Sequence, residues 1–300
     1  MSDKEVYKYK TWQIWLLAAR PKTLWAGIIP VIVGTVMAFE AGKFHLISFL
    51  ATLACAVLIQ VGTNFANDLF DFQKGADNNS RKGPMRVTQA RLVTPYQMKV
   101  ATITVLALAF LVGMYLVWRA GWPIFIIGLL SILFAVLYTG GPFPLGYTGL
   151  GDIFVLIFFG PVAVGGTYYI MAGHITRAVL LAGFAPGMIA TAILIVNNLR
   201  DMESDRKSGK NTLAVQFGAN FAKAEYLAMI CGAMLLPIII YFIEGRHGWA
   251  ILAALYILPA VPVIRKVFTV ADGHALNDAL AGTARLMAVF GLLFSLGWLL

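Results

Sequence analysis

Nine apolar runs, roughly 23–39, 46–67, 98–118, 122–139, 150–172, 178–199, 223–243, 248–268 and 280–300, leave this 300-residue chain little choice of architecture. A helix needs about 20 mostly apolar residues to cross a bilayer, and most of the runs approach that length. Hydrophobic residues make up 60% of the chain and charged residues 12%, with a mean hydropathy of +0.80. A soluble domain carries about a quarter charged residues. The expected fold is therefore all-α: a polytopic membrane protein, a bundle of about nine transmembrane helices forming a single domain over residues 1–300.

The polar start "MSDKEVYKYK" leads into an apolar stretch broken by Arg20, Pro21 and Lys22 without a small-residue cleavage site, so no cleaved signal peptide is expected. Cys55 and Cys231 fall inside predicted spans, where a thiol behaves as a small hydrophobe, and they have no metal-ligand spacing. A net charge of +9 suggests nucleic acid in a soluble protein, but here its placement is what informs, and no nucleic-acid partner is expected. With the N-terminus inside and nine crossings, the inside segments hold 19 of the Lys and Arg residues; the outside keeps only Lys43, Arg119, Arg177 and Arg246, which is 4. That asymmetry follows the positive-inside rule. It predicts a multi-pass protein of the cytoplasmic (inner) membrane, with its N-terminus and functional face on the cytoplasmic side.

Two polar clusters stand where apolar runs end on that face: Asn64, Asn67, Asp68 and Asp71 in "NFANDLFD", and Asn197, Asn198, Asp201 and Asp205 in "NNLRDMESD". Only 14 acidic residues occur in the chain, and Asp68, Asp71, Asp77, Asp201 and Asp205 lie in or beside these clusters. A long basic loop follows each cluster, after runs 2 and 6, which resembles a weak internal repeat. Asn64, Asp68 and Asp71 are spaced four and three apart, and Asn197, Asp201 and Asp205 four and four, so each set is expected to form one helical stripe. Such oxygens suit Mg²⁺, which takes one or two carboxylates and completes its shell with water and phosphate. Ordinary helix caps are the plainer reading. Against it stand the duplication and the position of the carboxylates at helix C-termini, where the dipole disfavours them unless a cation is near.

Basic residues supply the other half of a possible diphosphate site. Arg81 and Arg86 lie in the loop after the first cluster and Lys210 after the second, beside Gly83, Pro84 and Gly209, and all three are expected to contact substrate through charge-assisted hydrogen bonds. "RPKTL" could bring Arg20 and Lys22 to the same face. Lys207, Lys223 and Arg91 read as topology or lipid contacts. The four histidines are isolated and neither a nucleophile–base set nor a P-loop is visible, so covalent catalysis finds no support.

"NDLFD", "GPMR", "LYTGGPFPLGYTGLGD" and "NNLRDMESDRKSGKNTLAV", in that order, resemble the intramembrane aromatic prenyltransferases of the UbiA superfamily, nearest to the branch acting on 1,4-dihydroxy-2-naphthoate. The resemblance runs from "RPKTL" to the last apolar run. It implies Mg²⁺ and a polyprenyl diphosphate held by Asn64, Asp68, Asp71, Asn197, Asp201 and Asp205, with the four aspartates catalytic. Asn67 and Asn198 would bind substrate beside them, and the isoprenoid tail would lie in a groove open to lipid. Tyr138, Phe143, Tyr147, Phe154 and Phe158 are candidates to face an allylic cation. Members acting on 4-hydroxybenzoate carry a basic residue soon after the tyrosine equivalent to Tyr138, whereas "TGGPFPLGYTG" is uncharged here. That departure favours the naphthoate, with loss of CO2 to give a demethylmenaquinone in menaquinone synthesis. The alternatives are another aromatic acceptor, an ion-coupled carrier, whose acids would lie near the bilayer midplane, and a phosphatidyltransferase, which would carry one aspartate-rich motif.

Overall fold

A computed structural model describes residues 9–75, 83–270 and 273–300. Asp77, Arg81 and Lys82 lie outside these described residues. The chain runs through α1 (Thr11–Ala19), a 3₁₀ turn (Pro21–Thr23), α2 (Trp25–Glu40), α3 (Leu46–Gln73), α4 (Pro95–Ala120) and α5 (Trp122–Leu137). It continues through the broken helix α6 (Gly151–Ala172), then α7 (Arg177–Lys207), α8 (Leu213–Phe217) and α9 (Ala219–Glu244). A 3₁₀ segment (Gly248–Tyr256) leads into α10 (Ile257–Thr269), and α11 (Gly273–Leu299) closes the bundle. Among the described residues there is no strand.

Local chemistry marks the helix ends. Pro95 opens α4 behind Thr94, whose hydroxyl accepts from the Gln97 amide while the Gln97 side chain accepts from the Thr94 N–H. Thr176 and Thr212 cap α7 and α8 by accepting the backbone N–H of Val179 and Val215. Trp118 and Trp122 stand exposed where α4 meets α5 at the end away from the polar clusters, and Trp12 and Trp25 at the other end, as amphipathic rings do at membrane interfaces.

Among the described residues, seven helical segments are long and apolar enough to cross a membrane, and the pair α1–α2, bent by 54°, makes up to eight. The chain is a multi-pass membrane protein. The expected nine spans are not reached: α5 has 16 residues, about 24 Å at 1.5 Å per residue, short of a hydrocarbon core of about 30 Å.

The bundle has a two-part plan. Helices α3, α4 and α5 pack together on one side; α7, α9, α10 and α11 form the other, with α2 and α6 between them. Its larger core holds Ile189 and Val196 of α7, Tyr226 and Ile230 of α9, and Phe290 and Phe294 of α11. Two tyrosine hydroxyls inside it are paired: Tyr226 with Thr283, and Tyr256 donating to the Ile230 carbonyl. α7 packs against α2, α6, α9 and α11 and is the most enclosed span. It carries the second polar cluster at its C-terminal end.

Glycines let α6 and α7 touch backbone to backbone. At Gly160 (φ −106°, ψ −114°), just before Pro161, α6 breaks. A Cβ on Gly187 would stand 2.4 Å from the Leu156 carbonyl oxygen and 2.9 Å from Gly160 Cα, and one on Gly183 would stand 2.8 Å from Pro161 Cα. Small residues do this work in membranes, where apolar surface gains little by leaving lipid and close van der Waals approach drives association. Gly187→Ala is therefore expected to lower the stability of the detergent-solubilised protein by about 1–3 kcal/mol through overpacking. Gly128→Ala, with nothing within 4 Å of the added carbon, is expected to leave the thermal midpoint unchanged or slightly raised, and thermal denaturation of the two variants side by side checks the pair.

Candidate active site

The first polar cluster lies on the last three turns of α3, and the stripe it presents differs from the expected one. Gln60, Asn64, Asn67 and Asp71, spaced four, three and four, line a polar cavity of about 190 Å³. Asp68 does not line it. Its two carboxylate oxygens accept the backbone N–H groups of Val87 and Thr88, each at 3.1 Å, and it is 1% exposed. Asp68 thus turns to the flank of the helix and pins the loop between α3 and α4. Exposing those two N–H groups to a site without partners costs about 1–3 kcal/mol.

What Asp68 pins is the segment that carries Arg86. The Arg86 guanidinium, 6% exposed, donates to Asp71 Oδ2 at 2.9 Å. Asp71 Oδ1 accepts from the Tyr147 hydroxyl at 2.9 Å and lies 3.0 Å from the Lys210 ammonium. Lys210 and Lys74 each stand 4.7 Å from the centre of the Tyr147 ring, within cation–π range. Lys74 also donates to the Thr139 carbonyl at 2.7 Å, and the Thr139 hydroxyl donates to Asn67 at 2.8 Å. Desolvation pushes the Lys74 ammonium below the ordinary lysine range; the Asp71 charge opposes this and Lys210 adds to it. The loop after α5 is thereby fastened to the end of α3.

On α7, Asn197, Asn198, Asp201, Ser204 and Asp205 line the same cavity. Asp201 is held from behind by Arg200, which reaches both carboxylate oxygens and also donates to Asn197 at 2.7 Å and to Asn277 of α11 at 2.9 Å. Arg200 is 4% exposed. Sequence reasoning treated it as one of many inside charges, although an Arg beside Asp and three residues after Asn on a buried helix was a usable signal. Asp205 stands 4.0 Å from Lys210, whose backbone N–H donates to the Asp205 carbonyl. Lys210 therefore links acids 134 positions apart (205 − 71).

The remaining expected residues divide. Arg20 and Tyr138 line the cavity with the clusters, whereas Lys22 is exposed and lies off it. Arg81 is outside the described residues. Asn64 lines the cavity but spends its amide on the Ala19 carbonyl (2.9 Å) and the Thr23 hydroxyl (3.4 Å). Among the described residues no three carboxylate, His or Cys groups converge as a ready metal cage. Of the expected stripes, Asn64 and Asp71 from the first and Asn197, Asp201 and Asp205 from the second share one cavity while Asp68 does not, and Asp71 and Asp201 are held by cations there.

Below the polar cavity, toward the middle of the bundle, lies an apolar groove of about 330 Å³ between α2, α3, α4, α5 and α6. Phe134, Phe154 and Phe158 pack along it with ring centres 4.8–6.0 Å apart. Gln60, Asn64, Asn67, Tyr138, Val155 and Phe159 line both spaces and mark their junction. Gln60 was missed because a lone amide in an apolar run carries little signal. Tyr138 is seated by close approach of glycines: a Cβ on Gly146 would stand 2.9 Å from its ring and one on Gly151 3.0 Å from its hydroxyl. Phe143 is exposed, outside both spaces, and Tyr147 serves Asp71 and the lysines.

A head-binding cavity opening into an apolar groove is what an amphiphile with an anionic head requires, and similarity to known proteins agrees. The UbiA prenyltransferase family matches residues 27–288. The 1,4-dihydroxy-2-naphthoate octaprenyltransferase of Escherichia coli (strain K12) is 38% identical over 293 residues, covering 95% of this chain and 94% of that protein. A UbiA homolog from Aeropyrum pernix K1 superposes with a TM-score of 0.70 at 16% identity, over 89% of this chain and 96% of that one. A UbiA homolog from Archaeoglobus fulgidus bound to DMAPP and Mg2+ superposes with a TM-score of 0.60 at 16% identity, over 94% and 99%. On the family match and this near full-length relative, the chain belongs to the UbiA prenyltransferase family.

Proposed function

We propose that this chain is a Mg²⁺-dependent enzyme that transfers a polyprenyl group from polyprenyl diphosphate to 1,4-dihydroxy-2-naphthoate, with loss of CO2, giving the quinol form of a demethylmenaquinone. The observation that carries this reading is the junction: a polar cavity with acids and cations opens directly into an apolar groove. An allylic diphosphate spanning the two places its C1–O bond beside Gln60, Asn67 and Tyr138. The naphthoate comes from the E. coli relative's activity and from the uncharged stretch after Tyr138. The excess of Lys and Arg at this end of the helices supports a cytoplasmic site in the inner membrane.

The residues fit a divalent metal. Asn67, Asp71, Asn197, Asp201 and Asp205 offer hard oxygens from two helices, and cations already compensate Asp71 and Asp201, so each acid has a place for positive charge. Mg²⁺ there would neutralise the diphosphate oxygens and make them a better leaving group. Arg86 and Lys210, now on Asp71, are placed to donate to the same oxygens. As the C1–O bond breaks, Tyr138 and the phenylalanines around the groove present ring faces to the developing allylic cation and exclude water. The electron-rich ring carbon that bears the carboxylate then attacks C1, forming the C–C bond as the diphosphate departs, and the C–CO2 bond breaks to release CO2 and return its electron pair to the aromatic ring.

Purified protein with magnesium, farnesyl diphosphate and a panel of aromatic acids is expected to give a prenylated product from 1,4-dihydroxy-2-naphthoate and not from 4-hydroxybenzoate, as read by mass; the reverse preference would overturn the acceptor assignment. The acids should separate by role. Asp71→Asn, Asp201→Asn and Asp205→Asn are each expected to lower turnover by roughly a hundredfold or more. Asp68→Asn instead should lower thermal stability by about 1–3 kcal/mol while transfer stays measurable. In steady-state kinetics, Arg86→Ala is expected to raise KM for the prenyl donor and leave KM for the acceptor unchanged.

A further inference from the structure

Among the described residues, three cationic side chains line the polar cavity: Arg20, Arg86 and Lys210. Arg86 and Lys210 converge on Asp71. Arg20 comes from a different element, the corner between α1 and α2, whose Thr23 and Ala26 also line the cavity. On the function proposed above, both substrates are anions, a diphosphate and an aromatic carboxylate. Two anions brought side by side in a weakly polar site repel strongly, so cations are required at two separate places. One is the Asp71 end of the cavity. The second must lie by the junction, because an aromatic ring in contact with C1 carries its carboxylate within one ring's width.

Arg20 meets that requirement. Asn64, which lines both the cavity and the groove, donates to the Ala19 carbonyl and to the Thr23 hydroxyl and so fixes the corner from below. Thr23 closes it by donating its N–H (2.9 Å) and its hydroxyl (3.0 Å) to the Arg20 carbonyl. The backbone of Arg20 is left-handed, φ 53° and ψ 68°. Glycine adopts that conformation freely and arginine does not. Arg91 and His247 share this conformation away from the cavity, so it is the place of Arg20 on the cavity lining that gives its side chain a role. Lys22, two positions on, is exposed and off the cavity and cannot take this role.

We infer that Arg20 binds the carboxylate of the aromatic acceptor and holds its ring at the junction, making it the residue that selects an acid over a neutral arene. The planar guanidinium can meet a carboxylate with two parallel hydrogen bonds, which fixes orientation as well as charge. This assignment rests on the proposed function for the identity of the two anions.

The test compares 1-hydroxy-2-naphthoate with 1-naphthol, which share ring and hydroxyl and differ in the carboxylate, by calorimetry on the full chain with magnesium. Wild type is expected to bind the acid at least roughly tenfold more tightly than the naphthol, the scale of a charge-assisted hydrogen bond. In Arg20→Gly that preference should vanish, while affinities for 1-naphthol and for inorganic diphosphate stay within about twofold. Glycine relieves the backbone, so the thermal midpoint of this variant should equal or exceed that of wild type. Arg20→Gln, which keeps much of the side-chain bulk and removes the charge, must lose the preference as well. An unchanged preference in either variant, no preference in wild type, or a parallel loss of diphosphate affinity would overturn the assignment. Mass detection of prenylated naphthoate tests the proposed function separately: a wild type that binds the acid through Arg20 yet makes no product refutes that function and leaves the carboxylate site standing.

Discussion

Carboxylates at the edge of an apolar bundle are tolerated only where positive charge or hydrogen-bond donors meet them, and this constraint organises the site. Asp71, Asp201 and Asp205 are each less than a tenth exposed. Three cations answer them: Arg86 and Lys210 at Asp71, Lys210 again near Asp205, and Arg200 at Asp201. Removing one member of such a buried set leaves an uncompensated charge, at about 3–5 kcal/mol. The ends of α3 and α7 and the loops after α3, α5 and α7 are therefore held as one unit. Lys210 is where they meet, reaching from the α7–α8 loop to Asp71 on α3 and lying over the Tyr147 ring from the α5–α6 loop.

The same charges account for how the site can accept a substrate without rearranging its backbone. Arg200 stands behind Asp201, tied to Asn197 and Asn277, and stays as a strut. Arg86 and Lys210 stand on the cavity side, and their long side chains can pass from a carboxylate to a phosphate. Asp68 contributes from outside the cavity by fixing the loop that presents Arg86. Beneath, the glycine contacts of α6 with α7 keep the groove wall and the acidic helix in register, so that head and tail spaces share one junction.

Much of this was legible in the residues. The apolar runs announced a membrane bundle, and α2 to α7 and α9 to α11 overlap them, although the run at 122–139 gives a helix too short to cross by itself and α8 lies in a stretch read as loop. All of the two polar clusters except Asp68, together with Arg86, Lys210, Arg20 and Tyr138, line one cavity. Less legible was which residue on each helix faces inward. Positions 60, 64, 67, 68 and 71 all fall within an arc of about 100° on a helix of 3.6 residues per turn. Spacing alone cannot say which edge of that arc meets the cavity, and the stripe through Asp68 was as regular as the one through Asn67. Lys22 and Arg20 are likewise neighbours in sequence, yet the left-handed turn at Arg20 sends one to the cavity and leaves the other exposed.

The sequence by itself determined the solvent and the chemical inventory, because long apolar runs and the two Asn/Asp clusters are one-dimensional facts about transfer free energy and charge. Tertiary structure decided the roles. Asp68 became a loop clamp, Arg200 a strut and Gln60 a junction residue, since each depends on what a neighbouring helix or loop places opposite it. Those neighbours lie as far off as 77 positions, the separation of Arg200 and Asn277, and only packing brings them together.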